Sequence, residues 1–127
     1  MIYVKNYINF KPRNDLIIYK SKELESLFIE INNPKETNGV IGVIYRHPCM
    51  NEQIFNDDYL KTITDILTLE NKIIFISGDF NFDLLNVSNH NEVFSFFDIM
   101  MSNFLHPLIT IPTQINSGTN TFIFQYN

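Results

Sequence analysis

From Val40 to Ile76 the chain runs strand, helix, strand, and this order constrains its fold more than any other feature. Val40–Tyr45 is an apolar run rich in β-branched residues, the pattern of a buried strand. Asp57 to Leu69 carries Leu60, Ile63 and Leu67 at i, i+3 and i+7, with Ile66 widening the stripe. That spacing predicts an amphipathic helix. Asn56 is its expected N-cap, with Asp57 and Asp58 in the first turn. Asn71 breaks the pattern, and a second apolar strand begins at Lys72. Such a passage sets its two strands parallel through a right-handed crossover.

The remaining pattern builds around this unit. Met1–Val4 and Leu16–Tyr19 read as short strands. Glu25–Ile31 alternates, with Leu27, Ile29 and Ile31 predicted on one face. Asn32–Gly39 is a turn-rich hairpin loop. A second helix is predicted over His90 to Asn103, opened by Asn89 and Glu92 as a capping box. Its buried face is Val93, Phe96, Phe97 and Met100. Leu105–Thr110 and Thr121–Phe124 complete the strands. Hairpin and crossover signals together predict an α/β chain with a mixed sheet and helices packed on it. A length of 127 residues supports one domain with a real core.

Charge narrows the partners. A formal net charge of −5 and a pI near 5.0 argue against a general basic surface for polyanions. They leave room for a local patch that, with a metal ion, serves a single phosphate. Cys49 is the single cysteine, so no internal disulfide forms, and its expected state is a partly buried thiol. No apolar run approaches the ~18–20 residues of a membrane span. Met1–Lys5 lacks the basic then apolar layout of a signal peptide, so an intracellular setting is expected by default.

Chemistry concentrates after the second strand of the crossover. The apolar run stops at Ser77-Gly78, and Asp79 and Asn81 follow. Side chains two apart on extended backbone point the same way. A carboxylate there can act as a general base for water, and a carboxamide can stabilise developing negative charge. The competing reading is a local turn, with both side chains bonded to nearby backbone. Tyr45-Arg46-His47-Pro48 ends the preceding strand, so Tyr45 is expected at the same sheet edge as Asp79. The Tyr45 hydroxyl can hold a phosphate oxygen or sit as a satisfied core group. His47, His90 and His106 read as surface or cap residues.

These segments carry a resemblance. Val43–Pro48, Ile76–Asn81 and Ile111-Pro112-Thr113-Gln114-Ile115 resemble the endonuclease/exonuclease/phosphatase superfamily. More narrowly they resemble the apurinic-type endonuclease domain of non-LTR retrotransposon polyproteins. Met1–Lys5, Glu25–Ile31 and Phe94–Leu108 agree with that domain's strands and helix, so the resemblance covers nearly the whole chain. It implies a DNase I-like four-layer α/β sandwich, of which this chain is a part. It implies magnesium-dependent hydrolysis of phosphodiesters, with DNA as partner. Asp79 would then orient or deprotonate the attacking water, Asn81 would contact the scissile phosphate, and Tyr45 would position it. Arg46 and Thr113 would lie at the substrate. Gln114 stands where the family has arginine.

The chain departs from the pattern in two respects. The family's asparagine and metal-holding glutamate lie in a stretch before the position matching Met1, and its Ser-Asp-His motif lies beyond Asn127. Phe124 stands where a supporting aspartate is expected. No metal ligand is therefore assigned within these residues. The expectation is an incomplete domain, inactive as an isolated chain. Its unfinished sheet is expected to expose inward residues such as Phe28 or Phe75 and to self-associate.

Overall fold

The computed structural model describes residues 1–33, 36–83 and 88–108, together with the backbone of 121–126. The strands are β1 (Phe10–Pro12), β2 (Tyr19–Lys20), β3 (Leu24–Ile31), β4 (Gly39–Arg46), β5 (Ile73–Asp79), β6 (Leu105–Pro107) and β7 (Thr121–Tyr126). The helices are α1 (Glu52–Ile54), continued through a π-helical turn over Phe55–Leu60 into α2 (Lys61–Thr68), and α3 (Asn91–Ser102). The seven strands among the described residues join one sheet in the order β1-β3-β4-β5-β7-β6, with β2 paired to β3 beside β1. β4 and β5 are parallel, as the strand–helix–strand order requires, and the other pairs are antiparallel. The expected α/β class, mixed sheet and flanking helices are therefore present.

One face of the sheet forms the core. Leu24, Phe28, Val40, Ile44, Ile74 and Ile76 are buried there with Leu60, Ile63 and Leu67 from the first helical stretch and Val93, Phe96 and Met100 from α3. The predicted helix stripes thus face the sheet. Gly42 leaves room for the Phe28 ring, which would lie 2.0 Å from a Cβ at that position. Phe28, expected to be exposed, is completely buried beneath the helices, while Phe75 is half-buried on the opposite face.

Leu27, Ile29 and Ile31 share one face of β3 as predicted, and the burial of Phe28 makes the opposite row the one beneath the helices. The row beneath the helices is Leu24, Ser26, Phe28 and Glu30, all buried, while on the other face Ile29 is buried and Leu27 and Ile31 are half-buried. Ser26 and Glu30 disguised this row as polar. Ser26 donates its hydroxyl to the Leu16 carbonyl at 2.7 Å and accepts the Ile18 N–H at 2.8 Å. Glu30 accepts from Lys72 at 2.8 Å and from Asn38 at 3.1 Å, and Arg13 stands 3.7 Å away. Arg13 in turn forks onto Glu70 at 2.6 and 3.0 Å and onto Asp15 at 2.6 and 2.9 Å. Ser26, Glu30 and Arg13 persist as buried polar groups because each finds such a partner.

Other boundaries shift. Met1–Val4 forms no strand, and the Leu16–Tyr19 prediction contracts to Tyr19–Lys20 because Leu16 turns into the core. The first helix starts earlier than predicted. Asn51 is its N-cap, accepting the Ile54 N–H at 3.0 Å. Asn56 instead lies buried within the π-helical turn and donates to the Glu92 carbonyl at 2.8 Å, holding this helix against α3. α3 begins after His90, which makes no side-chain cap, so the N-cap lies one residue beyond the predicted Asn89. Of the predicted Leu105–Thr110 strand, Leu105–Pro107 is strand, and residues 109 and 110 lie outside the described residues.

Candidate active site at the strand ends

β4 and β5 end side by side. Their parallel register pairs Tyr45 with Asp79, so both side chains leave the same face of the sheet at neighbouring strand ends. Glu25 continues this row on β3, opposite Tyr45. Tyr45 is 39% exposed and its ring meets His47 edge-on at 6.2 Å. Asp79 is half-buried.

Gly78 makes this close approach possible. A Cβ at that position would sit 1.9 Å from the Ile44 carbonyl oxygen, inside the backbone of β4. Only glycine lets the strand lie so near its neighbour one residue before the carboxylate.

Beyond Asp79 the chain turns sharply. Asp79 Oδ1 accepts the Asn81 N–H at 3.1 Å, and Asn81 itself has φ 50°. Asparagine tolerates this left-handed backbone better than most residues. Its carboxamide Nδ2 donates to the Arg46 carbonyl at 2.6 Å. The local-turn reading is therefore present, with the Asn81 side chain tying the turn to the end of β4. The turn uses one Asp79 oxygen and one Asn81 N–H, and it is the means by which both groups are held at the strand ends.

Arg46, expected at the substrate, is placed elsewhere. It is 1% exposed, and its guanidinium points into the protein. Nε donates to the Phe80 carbonyl at 2.5 Å, Nη1 to the Met50 carbonyl at 2.7 Å, and Nη2 to the Asn81 carbonyl. The group lies 4.4 Å over the Phe82 ring, and Glu52 approaches to 3.4 Å. Burial pulls the Arg46 pKa down, while the charges of Glu52 and Asp79 oppose that pull. Guanidinium remains a cation throughout the accessible pH range. Sequence reading missed this inward role. The signal for it was the alternation Asp79-Phe80-Asn81-Phe82, whose two aromatic residues are both buried.

His47 serves its own loop, its Nδ1 accepting the Cys49 N–H at 3.3 Å. His90 sits at the start of α3, and His106 is exposed on β6. Cys49, expected to be partly buried, is exposed and donates its thiol to the Lys22 carbonyl at 2.9 Å. Thr113 and Gln114 lie outside the described residues. Among the described residues, no group of three His, Cys, Asp or Glu side chains could hold a metal ion. Magnesium favours carboxylate oxygens in octahedral geometry. Asp79 and Glu25, separated by the Tyr45 strand, do not make such a site by themselves. No described helix is long and apolar enough to cross a membrane.

No family model matches the chain, and no curated protein matches it in sequence. A solved structure does match. The endonuclease domain of TRAS1, a telomere-specific non-LTR retrotransposon, superposes with a TM-score of 0.70 at 12% sequence identity. The match covers 97% of this chain and 57% of that one, so the chain spans somewhat over half the length of the domain it resembles. With its mixed sheet and flanking helices, the chain shares the fold of that endonuclease domain over the matched length.

Proposed function

We propose that the chain is an endonuclease-like part of a retrotransposon protein whose site acts on phosphodiester bonds of DNA. The supporting observation is the pairing of Tyr45 with Asp79 at adjacent strand ends, with Asn81 turned back beside them, on a retrotransposon endonuclease fold. In this reading Asp79 takes the proton of the attacking water or orients it. Asn81 retains one amide hydrogen beyond its bond to Arg46, and that hydrogen is available to a phosphoryl oxygen. Tyr45 offers its hydroxyl to the same phosphate. Thr113 belongs to the substrate contacts by resemblance. Magnesium is the cofactor of such chemistry, and the carboxylates described here do not complete a site for it.

A second reading is a non-catalytic remnant. In that reading the parent chemistry is lost as a unit, since among the described residues no carboxylate cluster completes a metal site. Self-association through the half-buried sheet face of Leu27, Ile41, Val43 and Phe75 belongs to this reading. One experiment separates the two. Supercoiled plasmid is incubated with the chain, with and without magnesium, beside Asp79→Ala. Magnesium-dependent nicking that vanishes in the variant establishes the endonuclease. Nicking equal in both proteins, or none in either, leaves the remnant.

A further inference from the structure

We infer that Arg46 is the positioning residue of this site: it acts on the chemistry through Asn81 and Asp79 and makes no contact with substrate. The inference rests on the phosphodiesterase reading above and assigns Arg46 a role opposite to the one its sequence position suggests.

The geometry is a closed loop of bonds between two strand ends. The Arg46 guanidinium donates to the carbonyls of Phe80 and Asn81, and the Asn81 carboxamide donates back to the Arg46 carbonyl at 2.6 Å. A third bond, to Met50 at 2.7 Å, ties the same guanidinium to the loop that leads into α1. One planar cation thus spans three carbonyls on two segments. A fixed fork of donors suits that task, and an ammonium group cannot reproduce it. The need for such a brace is local. Asn81 occupies a left-handed backbone conformation that no helix or strand ladder maintains. Asp79 is fixed through its own bond to the Asn81 N–H, so whatever holds Asn81 also holds the carboxylate. The Phe82 ring beneath the guanidinium and the neighbouring Glu52 keep the cation in place. At 1% exposure the guanidinium has no surface from which to reach a phosphate.

The test compares wild type, Arg46→Lys and Arg46→Met in the full chain by two readouts. The first is nicking of supercoiled plasmid, resolved into kcat and KM. A brace predicts that Arg46→Lys lowers kcat about 100-fold with KM within twofold, the effect of misplacing reacting groups by an ångström. A KM raised tenfold or more with kcat retained overturns the inference and returns Arg46 to the substrate. The second readout, amide NMR, does not require activity. In wild type the Arg46 Nε–H and the Asn81 carboxamide are slow to exchange. In Arg46→Lys the Asn81 carboxamide exchanges like an exposed asparagine while the thermal transition stays cooperative. Asn81 signals unmoved by the substitution overturn the inference. If wild type does not nick DNA, the endonuclease reading fails alone and NMR decides the brace. If both variants fail to fold, an Arg46 Nε–H exchanging freely in wild type overturns it, and a protected one supports it.

Discussion

Tyr45 and Asp79 are partners in the parallel ladder of β4 and β5, so a phenol and a carboxylate leave the same sheet face at neighbouring strand ends. The chain from Tyr45 to Asp79, a separation of 34 positions that includes a helix, closes upon that one juxtaposition. A parallel pair needs the crossover, and the crossover delivers both C-terminal ends to one edge.

Within the endonuclease reading, the two side chains make separable contributions. Tyr45→Phe keeps the ring against His47 and removes the hydroxyl alone. Nicking is expected to fall about 10- to 100-fold with stability unchanged. Asp79→Asn removes the base and is expected to cost about 10²- to 10⁴-fold. Plasmid nicking rates, with urea unfolding as a control, check both.

Gly78→Ala attacks the same juxtaposition through packing. The added methyl would lie 1.9 Å from the Ile44 carbonyl oxygen, so the strands must part. A loss of about 2–3 kcal/mol is expected, typical of forcing atoms into a packed interior. A urea midpoint within error of wild type would contradict it.

The ion-pair network at the other end of the sheet links stability to acid. Burial alone would raise the Glu30 pKa, but bonds from Lys72 and Asn38 and the nearby Lys11 hold it below the ordinary glutamate value. Glu70, opposed by burial in the same way, is held low by Lys72 and Arg13. A carboxylate with a depressed folded pKa stabilises fully above its unfolded value, near 4.5, and that stability is lost as pH falls through the folded value. Unfolding free energy is therefore expected to hold from pH 7 to about 5 and to drop below that. Glu30→Ala is expected to cost about 3 kcal/mol at pH 7, as breaking a buried pair does, and to flatten the acid limb. Urea titrations at pH 7, 5, 4 and 3 measure both.

The cap assignment is equally open to measurement. Asn51→Ala removes the acceptor for the Ile54 N–H and is expected to cost about 1 kcal/mol, while Asn51→Gly costs a few tenths. Asn56→Gly should cost more than Asn51→Gly. Asn56 is a buried link to α3 and not a cap, so glycine removes its bond and leaves a void. Equal costs for the two glycine variants would contradict the assignment.

Much of this arrangement was legible in one dimension. Local periodicity and turn residues determined the crossover from Val40 to Ile76, the hairpin before it and the buried stripes of both helices, because those patterns depend on near neighbours along the chain. The abrupt stop at Ser77-Gly78 marked where an apolar strand gives way to Asp79 and Asn81. Tertiary structure decided which face of β3 is core, since Ser26 and Glu30 read as polar until Leu16, Ile18, Lys72 and Asn38 come within bonding distance. It decided the helix start as well, because Asn56 finds its partner 36 residues away on Glu92. And it decided where the Arg46 guanidinium lies. A basic residue beside a site residue suggests a substrate contact by its charge alone. Only the folded chain brings three carbonyls to its guanidinium and leaves no solvent path from it to a phosphate, because those carbonyls belong to segments that sequence order keeps apart.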